Sequence, residues 1–329
     1  MCCEDTHSIK LIVFIESMTP TLEICIDSVA SAVAAERGGA SRVELCDNLY
    51  EGGTTPSIGL LTLVLQNTKL PVHVMVRPRG GDFLYSPVEL EVMQADIRAL
   101  KAAGAHGIVL GVLDSLGRVD EPVLRELVGA AAPLPVTFHR AIDLTVNAVE
   151  AVHACARCGV SRLLSSGGAP TAMEGCDTLR RMVEAAGGRM IVAAGGGVTE
   201  ANCAAIAAAS GADELHGSLR KTRASGMRSR PAVAIPMGSE KRLTPESEYE
   251  IREADAGRVA AVAHRLLGVA QASATATAAT SAAAPPRGEQ GKHLGARLPA
   301  AQTQRALQLV VLFGVGVAVL AFFRARRSR

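Results

Sequence analysis

The sequence contains no tryptophan, and aromatic residues make up only 3% of its 329 positions. A core is still within reach, because apolar residues account for 48%, but valine, isoleucine, leucine and alanine must supply it. There is also no excess of charge. With 34 basic and 32 acidic residues the formal charge is +2, which gives no general case for nucleic-acid binding. No secretory signal is evident: the run IKLIVFI at residues 9–15 is short and carries a lysine. The cysteines, at 2, 3, 25, 46, 155, 158, 176 and 203, have no disulfide-framework spacing. Reduced thiols in a cytosol-facing domain are the expectation.

What is present is a rhythm. From Thr21 to Gly268, short apolar runs alternate with helical patterns. Eight strands are expected at 21–27, 42–47, 71–77, 107–113, 135–140, 161–165, 189–194 and 213–218. Helices are expected at 28–37, 86–103, 120–131, 147–157, 176–186, 200–209 and 255–267. Ser86-Pro87 reads as a helix start, and Gly104, Gly159 and Gly187 stand where helices should stop. Eight strand–helix units in about 250 residues are the size of an α/β fold of the (β/α)8 TIM-barrel type. A doubly wound open sheet is the competing fold, but no G-x-G-x-x-G follows the first strand.

The expected domain plan therefore has a leader at 1–20, with Met18 as an alternative start, and a barrel at 21–268. A proline-bearing loop at 221–252 is placed over one barrel mouth. Residues 269–305, rich in Ala, Thr, Ser, Pro and Gln, read as a flexible linker. The uncharged run at 306–323 (ALQLVVLFGVGVAVLAFF) nearly reaches membrane-spanning length at about 1.5 Å per residue. A basic tail, 324–329, follows it. Together these predict a cytoplasmic barrel tethered to an intracellular membrane by a single C-terminal hydrophobic helix.

Alternate residues of a barrel strand face its interior. That phase turns Glu23, Cys25, Asp27, Glu44, Cys46, His73, Met75, Arg77, Thr137, His139, Glu214, His216 and Ser218 inward, with Arg79 beyond the third strand. Barrel interiors are ordinarily branched aliphatic, and their active sites lie at the strand C-termini, so this polar set predicts a functional mouth. Glu23 and Glu44 are also expected to pair with Arg77 and Arg79. Cys25 and Cys46 occupy adjacent strands about 4.8 Å apart. Two thiolates can share a soft ion there, with Met75 and His139 or His216 as further ligands, a set that suits Cu(I) or zinc. An ordinary alternative is two small buried hydrophobes. The glycines at 167–168 and Gly195, Gly196 and Gly197 suit a phosphate or carboxylate, or simply tight turns. Cys155-x-x-Cys158 sits at a helix C-terminus and reads as packing.

LEICIDSVASAVAAERGGASRVELC (22–46), EGGTTPSIG (51–59), RPRGGDFLYS (77–86), PVTFHRAID (135–143) and the GGG at 195–197 resemble the CutC copper-homeostasis family over about residues 22–268. The resemblance implies a (β/α)8 barrel, self-association and a role in copper handling, with Cu(I) held by Cys25 and Cys46. The eighth strand reads HGS, where some relatives carry a further cysteine after the histidine. The competing reading is a barrel enzyme for a small anionic or phosphorylated metabolite. In it, His139 with Asp143, or Glu23 and Glu44, moves protons, and Arg77, Arg79, His216 and the glycine loop hold the anion. A third is a membrane-tethered scaffold.

Overall fold

A computed structural model of the chain describes residues 20–233, 235 and 247–282. The strands are β1 (Thr21–Ile26), β2 (Arg42–Leu45), β3 (Val72–Met75), β4 (Gly107–Leu110), β5 (Val136–Phe138), β6 (Arg162–Ser165), β7 (Ile191–Gly195) and β8 (Glu214–Gly217). They pair in parallel in chain order, and β8 closes onto β1 with Glu23 opposite His216. All eight expected strands are present, most of them shorter than expected.

The helices outside are α1 (Val29–Arg37), α2 (Ile58–Asn67), α3 (Pro87–Ala102), α4 (Glu121–Ala131), α5 (Ala148–Arg157), α6 (Cys176–Ala186), α7 (Cys203–Ser210) and α8 (Ala256–Ala282). Of these, α2 has no counterpart among the expected helical stretches. Ser86 closes a capping box with Glu89 at the start of α3, which satisfies amide donors that the first turn leaves free. Gly187 caps α6 in the left-handed conformation, where a side chain would be strained.

The strand alternation divides the apolar residues into two clusters. Leu22, Ile24, Ile26, Val43, Leu45, Val72 and Val74 join the large core between strands and helices. Cys25, Cys46, Met75 and Val109 form a small separate cluster with Leu49 packed against it. Burial of the first set removes apolar area from water and supplies the main stabilising term. The polar inward set is positioned by that same alternation.

Two boundaries differ from expectation. Residues 221–252 are not simply a loop: β9 (Arg220–Ala224) and β10 (Glu250–Ala254) form an antiparallel hairpin. It stands at the rim, where Arg220 pairs with Asp27 and Ala254 donates its N–H to Ser31 Oγ at 3.1 Å. The second difference is that α8 continues to Ala282, through the expected linker boundary at 269. The physical reason is its apolar stripe: Val259, Val262, Leu266 and Ala270 are all buried, so the core-facing pattern passes residue 268. The expected leader, the rest of the linker, the 306–323 hydrophobic helix and the basic tail lie outside the described residues. Among the described residues, no helix is long and apolar enough to cross a membrane.

Candidate metal centre

The deepest polar layer is an ion belt. Glu23 Oε2 accepts from Arg42 Nε at 2.5 Å and from Arg162 Nη1 at 3.2 Å. Glu214 Oε2 is shared by Arg42 Nη2, at 2.6 Å, and Arg162 Nη2. Arg162 also donates to Thr137 Oγ1 at 3.1 Å. His216 Nδ1 lies 2.9 Å from Glu23 Oε1. Burial alone would raise the Glu23 pKa, but Arg162, His216 and Arg42 outweigh it and hold the carboxyl well below its ordinary range.

These are not the expected arginines. Arg77 and Arg79 follow β3 at the rim, one or more layers above Glu23. Carboxylates in a barrel are met by cations of their own layer, and the β1–β2 register puts Arg42 directly beside Glu23. Arg42 and Arg162 were legible only as inward-phase residues, two positions before Glu44 and Leu164.

One layer up lie the thiols. Cys25 Sγ and Cys46 Sγ are 3.8 Å apart and buried. Cys46 Sγ lies 3.6 Å from Glu44 Oε2, and His216 Nε2 lies 3.6 Å from the same oxygen. Ligand atoms of Cys25, Glu44 and Cys46 all fall within 4.8 Å of one another, as do those of Glu23, Glu44 and His216. Gly53 covers the pair: its φ is +95°, and a Cβ there would sit 3.0 Å from Cys46 Sγ and 3.6 Å from Met75 Cε.

The protonation pattern of this layer is uneven. The hydrogen bond from Cys46 pulls the Cys25 thiol down to about 5, against burial and with help from His216. That same bond, together with burial, pushes the Cys46 thiol well up. The contact therefore favours thiolate character at Cys25, with the shared proton on Cys46. Burial also pushes Glu44 well up, more than His216 can offset. One of its oxygens, Oε1, is buried and has no partner among the described residues. Burial disfavours a charged His216, yet Glu44, Cys25 and Glu23 together raise its pKa well above the usual imidazole value. The imidazolium form is therefore favoured.

The other expected site residues go elsewhere. His139 Nδ1 accepts the Ala141 N–H at 3.2 Å and does not bond Asp143. Asp143 instead accepts from Ser165 Oγ at 2.5 Å, from the Ser166 and Gly168 amides, and from Arg140 Nε at 2.8 Å. The expected His139–Asp143 proton-transfer pair is therefore absent. A 3-10 turn, Arg140–Leu144, carries Asp143 toward the loop after β6, where its charge is matched by amides and a guanidinium.

Arg79 pairs with Glu89 at 2.5 Å and Asp82 at 3.2 Å. Gly196 and Gly197 face Ser166 and Thr171, and Gly195 faces Leu164 and His216. Close packing of neighbouring segments accounts for these glycines, and Arg79 is already paired with carboxylates. Ser218 is exposed beyond β8. Cys155 and Cys158 are buried free thiols, as packing residues would be. Two clefts, of about 710 and 590 Å³, lie on the outside of the barrel, lined by residues such as Arg157 and Arg189 or Arg118 and Asn147, and neither reaches the thiols.

With this geometry in hand, comparison with known proteins is decisive for family. The profile of the CutC family matches residues 20–221. This chain belongs to the CutC family. A copper homeostasis protein cutC homolog of Homo sapiens is 48% identical over 238 residues, covering 72% of this chain and 86% of that protein. A CutC family protein of Chromobacterium violaceum is 46% identical over 249 residues, covering 76% and 99%. Among solved structures, a CutC of Streptococcus agalactiae superposes with a TM-score of 0.58 at 32% identity, covering 60% of this chain and 98% of that one.

Proposed function

We propose that this CutC chain handles copper, taking Cu(I) as cargo between Cys25 and Cys46. The observation that carries this reading is the buried sulfur pair, 3.8 Å apart. Two sulfurs about 2.3 Å from a shared ion are about this far apart at a near-tetrahedral angle. The names of the relatives point to the same cargo.

The donor set favours a soft ion. An imidazolium has no lone pair to offer, so His216, held protonated by its carboxylate neighbours, is a counter-charge rather than a ligand. That leaves two sulfurs and the Met75 wall, which suit Cu(I). Glu44, mostly protonated, is a weak competitor for zinc until it ionises.

Anaerobic Cu(I) titration against a competing chelator tests the reading. The wild-type chain should retain one equivalent that the Cys25→Ser, Cys46→Ser double variant does not. Equal affinity in the two proteins would refute it.

A further inference from the structure

Above the thiols, on the far side of the mouth, lies a second group of buried polar atoms that the metal centre does not use. Arg77, Tyr85 and His139 are 6%, 9% and 4% exposed. Arg77 Nε, Tyr85 Oη and His139 Nε2 have no hydrogen-bond partner among the described residues. Buried donors without partners are costly, and three of them gathered in one place at the C-terminal end of a barrel point to a ligand.

Phe83 links Arg77 and His139. Its ring centroid lies 5.0 Å from Arg77 Cζ and 4.9 Å from the His139 ring. Burial pushes the Tyr85 phenol up to about 12, and Arg77 and Arg79 partly offset the rise, Arg77 both by its charge and by a polar contact with the phenol that falls short of hydrogen-bond geometry. The arrangement has been given room. A Cβ on Gly111 would lie 2.5 Å from two atoms of the His139 ring, so glycine at the end of β4 lets that ring lie toward Arg77.

The donor chemistry fixes the ligand class. His139 Nδ1 accepts an amide proton, so the neutral ring carries its own proton on Nε2 and offers a donor. Arg77 spends Nη1 on the carbonyls of Glu51 and Gly53 and Nη2 on that of Gly81, at 2.6, 3.0 and 2.9 Å. These bonds lock the guanidinium in place and leave its Nε–H and its charge available. Arg79 and Arg140 are spent on Glu89, Asp82 and Asp143. One buried positive charge matches one negative charge; a dianion would bury a second charge unpaired.

We propose that Arg77, Tyr85 and His139 form a second site in this barrel, one that binds a small monocarboxylate beneath Phe83. It is independent of the copper reading.

The test is a titration of the full chain with pyruvate, followed through the imidazole nitrogen signals in long-range proton–nitrogen spectra. His139 is assigned with a His139→Gln variant, and sodium chloride is matched throughout. Inorganic phosphate is the second probe. Pyruvate should shift His139 Nε2 saturably. Tyr85→Phe should weaken that binding roughly tenfold or more, the worth of a hydrogen bond to a charged group. The same variant should unfold no earlier than wild type, because its hydroxyl has no hydrogen bond of full geometry to lose, and should bind Cu(I) equally well. The proposal is overturned by any of three results: no saturable shift with pyruvate, a shift that Tyr85→Phe leaves unaltered, or saturation by phosphate in preference to pyruvate.

Discussion

The ion belt makes a quantitative prediction through Arg162. Its side chain is only 4% exposed, and it bridges Glu23 and Glu214 across the barrel while also donating to Thr137. Arg162→Met keeps volume and removes the charge. Glu23 would retain Arg42 and His216, but Glu214 would keep Arg42 alone. Removing one partner of a buried ion pair costs about 3–5 kcal/mol, mostly because the other charge is left in low dielectric. Against an ordinary total of about 5–15 kcal/mol, the loss is large. At about 2–4 °C per kcal/mol for a chain of this size, the midpoint should fall by roughly 6–20 °C. Urea unfolding followed by circular dichroism at neutral pH measures the free energy directly.

The control is Arg162→Met combined with Glu214→Gln, which removes one charge of each sign. If uncompensated charge is the cause, the double variant should be more stable than the two single losses predict, with a coupling of about 1–3 kcal/mol. A cost below about 1 kcal/mol for Arg162→Met, or strict additivity in the cycle, would refute the reasoning.

The shifted carboxyls and the imidazole set the pH profile. Glu23 is held below its ordinary 4.5, so the stability it contributes is complete above about pH 4.5 and is lost as pH falls through its folded value. His216 is held above its ordinary 6.5, so its contribution is complete below about 6.5 and is lost as pH rises through its folded value. Glu44 is raised and opposes folding at neutral pH, where the unfolded chain ionises it freely; Glu44→Gln should therefore raise the unfolding midpoint at pH 7 and leave it unchanged near pH 4. Cu(I) loading at neutral pH should release about one proton, from Cys46, whereas a divalent ion should release about two as Glu44 also ionises; calorimetry in buffers of different ionisation enthalpy counts them. Asp143→Asn should loosen the loop after β6 and cost about 1–3 kcal/mol in urea unfolding, with Cu(I) affinity unaltered.

The barrel was legible because its signal is local. A period of two along each strand separates Leu22, Ile24 and Ile26 from Glu23 and Cys25 without knowledge of any partner. Eight such runs then fix the architecture, and adjacency of the first two strands brings Cys25 and Cys46 together. Partners across the barrel were not legible. Arg162 meets Glu23 from 139 positions away, and which cation reaches which carboxylate depends on the layer each occupies once the strands tilt. Rim residues were misleading for the same reason: Arg77 shares the inward phase of Met75, but at the end of its strand it turns to loop carbonyls. Gly111 carries no sequence signal of its own. Its role becomes visible only when the His139 ring is found where its side chain would be.

Glu23 and Glu44 show how the belt shapes the chemistry above it. They are the same residue type, on neighbouring strands, one layer apart and both buried, yet their pKa values move in opposite directions. Glu23 is ringed by Arg42, Arg162 and His216 and stays ionised. Glu44 has only His216 to favour its ionised form, beside the Cys25 thiol, and burial holds its pKa up. His216 bridges the two carboxylates through its two nitrogens, and this fixes its charge. A protonated histidine cannot coordinate, and a protonated carboxyl coordinates poorly. The belt thus withdraws the nitrogen and oxygen donors of the centre and leaves sulfur. Softness of the site would then follow partly from electrostatics one layer below it, not from the cysteines alone: replacing Glu23 with glutamine removes one of the three groups that raise the His216 pKa, makes the ring easier to deprotonate, and should move the site's preference from Cu(I) toward zinc.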